Sequence, residues 1–197
     1  MTAMILYRIL HVLFPAFFRF CGAKDYGAEN MPPEGGVIVA ANHMSNWDPP
    51  FLASFLQRPV SYMAKQELFE IPIFGTVIRW LFAFPVRRGA ADRSAVKAAV
   101  KELRAGRCVG IFPEGTRSKD GEVHRFGAGV ALLASMSGAP VVPAAIVGTD
   151  KMKNLRVVYG APMSFEGKAN RETLDEFSNK IREEVVRMKK QCEEPEA

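Results

Sequence analysis

Apolar residues along the chain fall into one long run, several short runs and a periodic set, and each kind predicts a different element. The long run is MILYRILHVLFPAFFRF, from Met4 to Phe20. At 100° per residue Arg8, Pro15 and Arg19 share a narrow stripe with His11 about 60° away, and Ile, Leu, Val, Phe and Ala fill the rest of the circumference. Such a helix rises roughly 25 Å, short of the ~30 Å hydrocarbon core of a bilayer, and its two arginines oppose spanning. The pattern predicts a membrane-anchoring amphipathic helix at residues 1–24, lying in the interface ahead of one folded domain at 25–197. Packing on the domain's own core is the competing reading. A secretory signal is disfavoured, because no Lys or Arg precedes the run and no small-x-small cleavage site follows it.

Beyond this segment, short apolar runs alternate with helical stretches. Residues 35–41 (GGVIVAA), 60–64, 109–112, 141–147 and 155–159 read as strands. Residues 49–56, 90–105 and 128–137 read as helices, the second with Val96, Val100 and Leu103 on one face. Leu174, Phe177, Ile181, Val185 and Met188 recur at helical spacing in a final charged stretch. Strands alternating with helices of this length predict an α/β fold with a mostly parallel central sheet flanked by helices. No linker or repeat divides it, and 197 residues suffice for a single core.

Charge and cysteine content change the picture only slightly. Lys and Arg number 26 against 21 Asp and Glu, a net charge of +5, which favours anionic partners such as phosphates or acidic lipid surfaces. Bases are interleaved with acids, and no zinc-finger or RNP-type spacing accompanies them, so nucleic acid is not an expected partner. Cys21, Cys108 and Cys192 are isolated and odd in number, which gives neither a disulfide framework nor a metal cluster and implies a reducing compartment. Cys108 opens an apolar run and reads as a small core residue. His11, His43 and His124 show no ligand spacing, so no metal is expected.

Candidate chemistry begins at ANHMSNWDPP, residues 41–50. His43 follows a predicted strand directly, at the end of an α/β sheet where sites are usually built. On a regular helix Asp48 would point about 140° away from it, so the two side chains meet only across a turn. If they meet, His43 is a general base oriented by the Asp48 carboxylate. If they do not, Asp48 before Pro49 is an N-cap and His43 an ordinary polar residue. A second polar turn, GIFPEGTRSKDG at 110–121, leaves the next strand and presents Glu114, Gly115, Thr116 and Arg117. An arginine beside a flexible turn suits a phosphate, while a solvated loop is the plainer alternative. Neither a G-x-S-x-G elbow nor a complete dinucleotide fingerprint occurs.

Together NHMSNWD at 42–48 and FPEGTRS at 112–118 resemble the NHx4D and FPEGTRS motifs of the membrane glycerolipid acyltransferases of the PlsC type, the 1-acylglycerol-3-phosphate O-acyltransferases. KQELFEIPIFG at 65–75 with FAFPVRRG at 82–89, and VVPAAIVGT at 141–149, look like the family's second and fourth blocks, so the resemblance covers roughly 30–160. It implies direct acyl transfer from a thioester to the sn-2 hydroxyl of 1-acylglycerol-3-phosphate, giving phosphatidate in phospholipid biosynthesis. His43 would be the base, Asp48 its orienting partner, and Arg88, Glu114, Gly115, Thr116 and Arg117 the substrate-binding set. No cofactor is implied beyond acyl-CoA or acyl carrier protein as co-substrate. The implied partners are a lysophospholipid acceptor, that donor and a membrane surface, with the protein peripheral or monotopic on the cytoplasmic face of the cell membrane.

Two positions depart from the family pattern. Phe82 stands where a glycine often opens the second block, and Phe126-Gly127-Ala128-Gly129 lacks the usual lysine of a Phe-Lys-x-Gly pattern. Either Arg125 takes that role or the acceptor is another lyso-lipid without the usual phosphate. A non-catalytic lipid-binding protein would need none of the polar set. Residues 68–84 stay open between an acyl tunnel, a membrane-facing surface and ordinary core.

Overall fold

A computed structural model describes residues 2–80, 83–86 and 93–194. Seven strands form one sheet: β1 (Lys24–Tyr26), β2 (Val37–Ala41), β3 (Val60–Lys65), β4 (Phe84–Val86), β5 (Cys108–Ile111), β6 (Val141–Val147) and β7 (Arg156–Tyr159). Their order is β1-β7-β6-β2-β5-β3-β4. All neighbours run parallel except β6 and β7, so β7 and β1 form a reversed edge on a five-stranded parallel sheet. The mostly parallel α/β fold expected from the sequence is the fold observed.

The central strand β2 is buried along its whole length, as a strand covered on both faces must be. Its side chains alternate between two cores. Val37, Val39 and Ala41 join Val142, Ala144 and Ile146 on one face, under α1 (Thr2–Phe20) and α2 (Asp48–Ser54) through Phe18, Phe51 and Leu52. Ile38 and Ala40 face the opposite core, filled by α4 (Arg93–Arg104), α5 (Gly129–Ser137) and α6 (Arg171–Glu193) through Leu103, Leu133 and Ile181. This is a three-layer arrangement in which each helix buries one apolar stripe.

Local chemistry sets where the helices begin and end. Pro49 and Pro50 lie in the first turn of α2, where a missing N–H breaks no helical bond. Asn170 and Thr173 form a reciprocal capping box at the start of α6. Gly138, with φ of 72°, closes α5 in the left-handed region. The short helix α3 (Phe74–Trp80) follows Ile73, whose φ of 66° is an unfavourable backbone conformation for a β-branched residue.

The first helix packs on the domain's core along one side and leaves apolar side chains exposed along another. Phe18 is fully buried and packs edge-on to Phe51 with ring centroids 4.8 Å apart, and Phe14 also lies against this core. Ile9, Val12, Leu13, Phe17 and Phe20 remain exposed, the last at 92%. Among the described residues no helix is long and apolar enough to cross a membrane.

Candidate active site

Three adjacent strands deliver the site at their C-terminal ends. β2 ends two residues before His43, β5 three residues before Glu114, and β6 two residues before Thr149. The strand end at β2 is fixed by Asn42, whose buried amide accepts from Ile146 N–H at 2.8 Å and donates to Ile146 C=O at 3.0 Å. That reciprocal pair locks the start of the turn to β6.

His43 and Asp48 meet. His43 Nδ1 lies 2.8 Å from Asp48 Oδ2. The same oxygen accepts the N–H groups of Met44 at 2.6 Å and Ser45 at 2.7 Å, and Oδ1 accepts the Thr149 hydroxyl at 2.5 Å. An oxygen already taking two backbone N–H groups can only accept from imidazole, so Nδ1 carries a proton, and in the neutral ring Nε2 then holds the lone pair. Asp48 therefore does not cap α2. Its carboxylate reaches back along the chain, and the helix has no side-chain cap at this end. Asp48 is fully buried, a position a carboxylate tolerates only with its lone pairs satisfied.

The imidazole lies nearly flat on Phe112, centroids 4.1 Å apart, and Tyr62 also stacks with Phe112 at 6.1 Å. Tyr62 is itself set by its hydroxyl, which donates to Pro49 C=O at 2.8 Å, and by Gly110, where a Cβ would fall 2.2 Å from the tyrosine ring. Thus ring order on the sheet surface fixes the plane of His43, while Asp48 fixes its rotation.

The second polar turn closes on the first. Glu114 Oε1 accepts His43 N–H at 3.0 Å, Glu114 Oε2 accepts His124 N–H at 3.3 Å, and Ser118 N–H donates to His43 C=O at 2.7 Å. Both carboxylate oxygens of Glu114 are thereby used on backbone, which makes it a brace between the two motifs. Arg117 is exposed, and its guanidinium donates to Asn46 Oδ1 at 2.8 Å, beside the His43 turn. Gly115, with φ of 73°, and Thr116 form the exposed tip between them. Arg88, like Phe82, lies outside the described residues.

Thr149 is the participant that pattern reading passed over. It is 1% exposed and meets Asp48 across 101 positions of sequence. Its signal was its place at the end of VVPAAIVGT, the stretch that resembles the family's fourth block, where no role was assigned to it. Cys108 is buried in the core, and burial raises its thiol above the ordinary range, so it is no nucleophile. Among the described residues no group of three or more His, Cys, Asp or Glu could hold a metal ion.

A buried carboxylate, an imidazole oriented by it and an exposed arginine thus stand at adjacent strand ends. The same stretch of chain is matched by a known family: the Acyltransferase family profile covers residues 22–147. The chain belongs to the acyltransferase family. It is 37% identical over 150 residues to the 1-acyl-sn-glycerol-3-phosphate acyltransferase of Bacillus subtilis, covering 72% of this chain and 74% of that protein. It is 35% identical over 162 residues to the Pseudomonas aeruginosa enzyme of the same name, covering 74% and 60%. A Borreliella burgdorferi relative, 31% identical over 70% of this chain, is matched over 56% of its own length, so the acyltransferase described here spans little more than half of some relatives. In structure, the 1-acyl-sn-glycerophosphate (LPA) acyltransferase PlsC of Thermotoga maritima aligns with a TM-score of 0.82 at 26% identity, covering 99% of this chain and 83% of that one.

Proposed function

We propose that this acyltransferase moves a fatty acyl group from a thioester donor to the sn-2 hydroxyl of 1-acylglycerol-3-phosphate, forming phosphatidate. The observation that carries this reading is the buried Asp48 carboxylate, which fixes the His43 tautomer so that Nε2 accepts a proton. His43 Nε2 takes the proton of the acceptor hydroxyl as its oxygen attacks the thioester carbonyl. The C–O bond forms, the C–S bond breaks, and the departing thiolate takes the proton from the imidazolium. A thiolate is already a good leaving group, so no acyl-enzyme is needed. The required chemistry is that of a general base, which contributes typically about 10² to 10⁴ in rate.

Arg117 supplies the charge for the acceptor phosphate, with Arg88 from the second motif as its partner by family analogy. Glu114 serves binding indirectly, by holding the His43 turn and the 124 backbone in one frame. The acyl donor is coenzyme A or acyl carrier protein. Arg125, exposed and 3.8 Å from Asp175, is the nearest basic residue in sequence to the Gly127 position where the family often has lysine.

The protein works as a peripheral or monotopic protein at the cytoplasmic face of the membrane. Support comes from the exposed row on α1 together with Trp47, Ile71 and Ile73, the last 82% exposed. Phe17 on α1 lies 6.0 Å from Trp47, the residue before Asp48, so the apolar face of the anchor runs up to the catalytic turn. Among the described residues of 68–84, Phe69 is buried, Ile71 and Ile73 are exposed, and Phe69, Arg79 and Phe84 border a cavity of about 490 Å³.

A matrix of acyl-CoA and acyl carrier protein donors against lysophosphatidate and zwitterionic lysophospholipid acceptors tests the reading, with products identified by mass spectrometry. Phosphatidate formed from lysophosphatidate at the highest kcat/KM is expected. Preference for a zwitterionic acceptor would overturn the substrate assignment.

A further inference from the structure

The loop that follows β5 holds His43 from both sides, through Glu114 on its N–H and Ser118 on its carbonyl. That loop is folded around one carboxylate. Asp120 Oδ1 accepts the Ser118 hydroxyl at 2.8 Å, the Glu122 N–H at 3.0 Å and lies 3.0 Å from His124 Nε2. His124 N–H then returns to Glu114 Oε2 at 3.3 Å, which closes a ring of hydrogen bonds with the His43 backbone at one end.

At the other end stands a residue of the last helix. Arg182 on α6 donates from Nε to His124 C=O at 3.0 Å and from Nη2 to Val123 C=O at 2.9 Å. Two successive carbonyls held by the fixed fork of one planar guanidinium fix the orientation of the intervening peptide, more tightly than the rotatable donors of an ammonium. The His124 N–H that meets Glu114 belongs to that same peptide. A continuous path therefore runs from Arg182 through the 123–124 peptide and Glu114 to the backbone of His43. The helix that supplies it lies beyond the stretch matched by the family profile, 22–147.

Apolar contacts keep the loop attached independently of Arg182. Val123 is 5% exposed and Phe126 is 1% exposed, both within the core beneath α4, α5 and α6. Removing the guanidinium thus frees the rotation of the 123–124 peptide without detaching the loop.

We propose that Arg182 is a positioning residue for His43, setting the catalytic turn from the C-terminal helix. This rests on His43 being the base. A displacement of about 1 Å at a reacting group can cost up to about 10²-fold in rate, so the effect belongs in kcat. The test is steady-state kinetics of the full-length protein and its Arg182→Ala, Arg182→Lys, Arg187→Ala and His43→Ala variants on mixed micelles, with thermal unfolding of each. Arg187 lies on the same helix and, among the described residues, donates to Glu184 and Gln191, outside the path.

Arg182→Ala is expected to lower kcat about tenfold or more, with both KM values within about twofold, Arg182→Lys intermediate and Arg187→Ala unchanged. The imidazole NMR signals of His43 should shift in Arg182→Ala and not in Arg187→Ala. A folded Arg182→Ala protein with kcat within about twofold of wild type, an equal fall in Arg187→Ala, or a loss confined to KM would overturn the inference. If Arg182→Ala does not fold, Arg182→Lys decides by the same criteria. Retained turnover in His43→Ala would instead bring down the base assignment, and this inference with it.

Discussion

Thr149 and Asp48 meet in a site from which water is excluded, and their bond is a measure of how much the turn depends on full satisfaction of one carboxylate. Replacing Thr149 by Val keeps the shape but leaves Oδ1 without its hydroxyl donor, at a cost of about 1–3 kcal/mol in stability. Chemical denaturation should show that loss, with Thr149→Ser restoring most of it. Arg117→Ala should weaken use of lysophosphatidate by about tenfold to over a hundredfold, the equivalent of one charge-assisted bond of about 1.5–3 kcal/mol, while a zwitterionic acceptor loses less. Specificity constants on both acceptors check this, and equal losses would assign Arg117 to structure or to the donor. Gly127→Lys is a sterically admissible companion: its φ is not in the left-handed region, and a Cβ there meets Pro113 C=O at an ordinary 3.5 Å. At this scale the sequence made His43, Asp48 and Arg117 legible, because their motifs are compact. It flagged the stretch ending in Thr149 but could not reveal the pairing of Thr149 with the distant Asp48, nor that both oxygens of Glu114 are used on backbone, since hydrogen-bond partners leave no trace in residue spacing.

Elements were readable where their pattern was long and hidden where neighbours create them. β2, β6 and α6 follow from apolar runs and helical spacing, whereas β1 and β4 are three-residue pieces whose strand character comes only from pairing with β7 and β3. α3 begins FGTVI, with a glycine and β-branched residues that carry little helix propensity, so its helical state is set by tertiary contact. For α1, truncation cannot separate membrane contact from folding. Deleting residues 1–21 would remove Phe18 from the core, and truncating a buried Phe alone costs about 3–5 kcal/mol. Substituting the exposed Leu13, Phe17 and Phe20 by Ser instead leaves Phe14 and Phe18 seated. That variant should keep its unfolding midpoint to within a few degrees yet sediment far less with vesicles, and unchanged co-sedimentation would show that α1 is not the contact. Gly110→Ala on β5 should perturb the ring order beneath His43, because the added Cβ collides with Tyr62. Lower kcat with retained secondary structure by circular dichroism is the expected outcome.

For the whole molecule, alternation of strands and helices sufficed for an α/β fold, but not for the reversed β7–β1 edge, which depends on connections that hydrophobic pattern does not encode. What the fold achieves is convergence. Three neighbouring strand ends bring together a histidine, an aspartate, a threonine and a brace, with Asp48 and Thr149 101 positions apart in sequence, and an apolar helix adjoins them through Trp47. A net charge of +5 adds a long-range attraction to anionic lipid. Association with anionic vesicles should therefore weaken as salt rises, more than with neutral ones, and vesicle co-sedimentation across ionic strength measures it. The central claim is that an oriented, neutral His43 is the base for acyl transfer, and single-turnover transfer from a labelled acyl thioester in the His43→Ala protein tests it most directly. A rate reduced about 10² to 10⁴-fold, with an unaltered circular dichroism spectrum, is expected. Near wild-type transfer by a folded His43→Ala protein would contradict it.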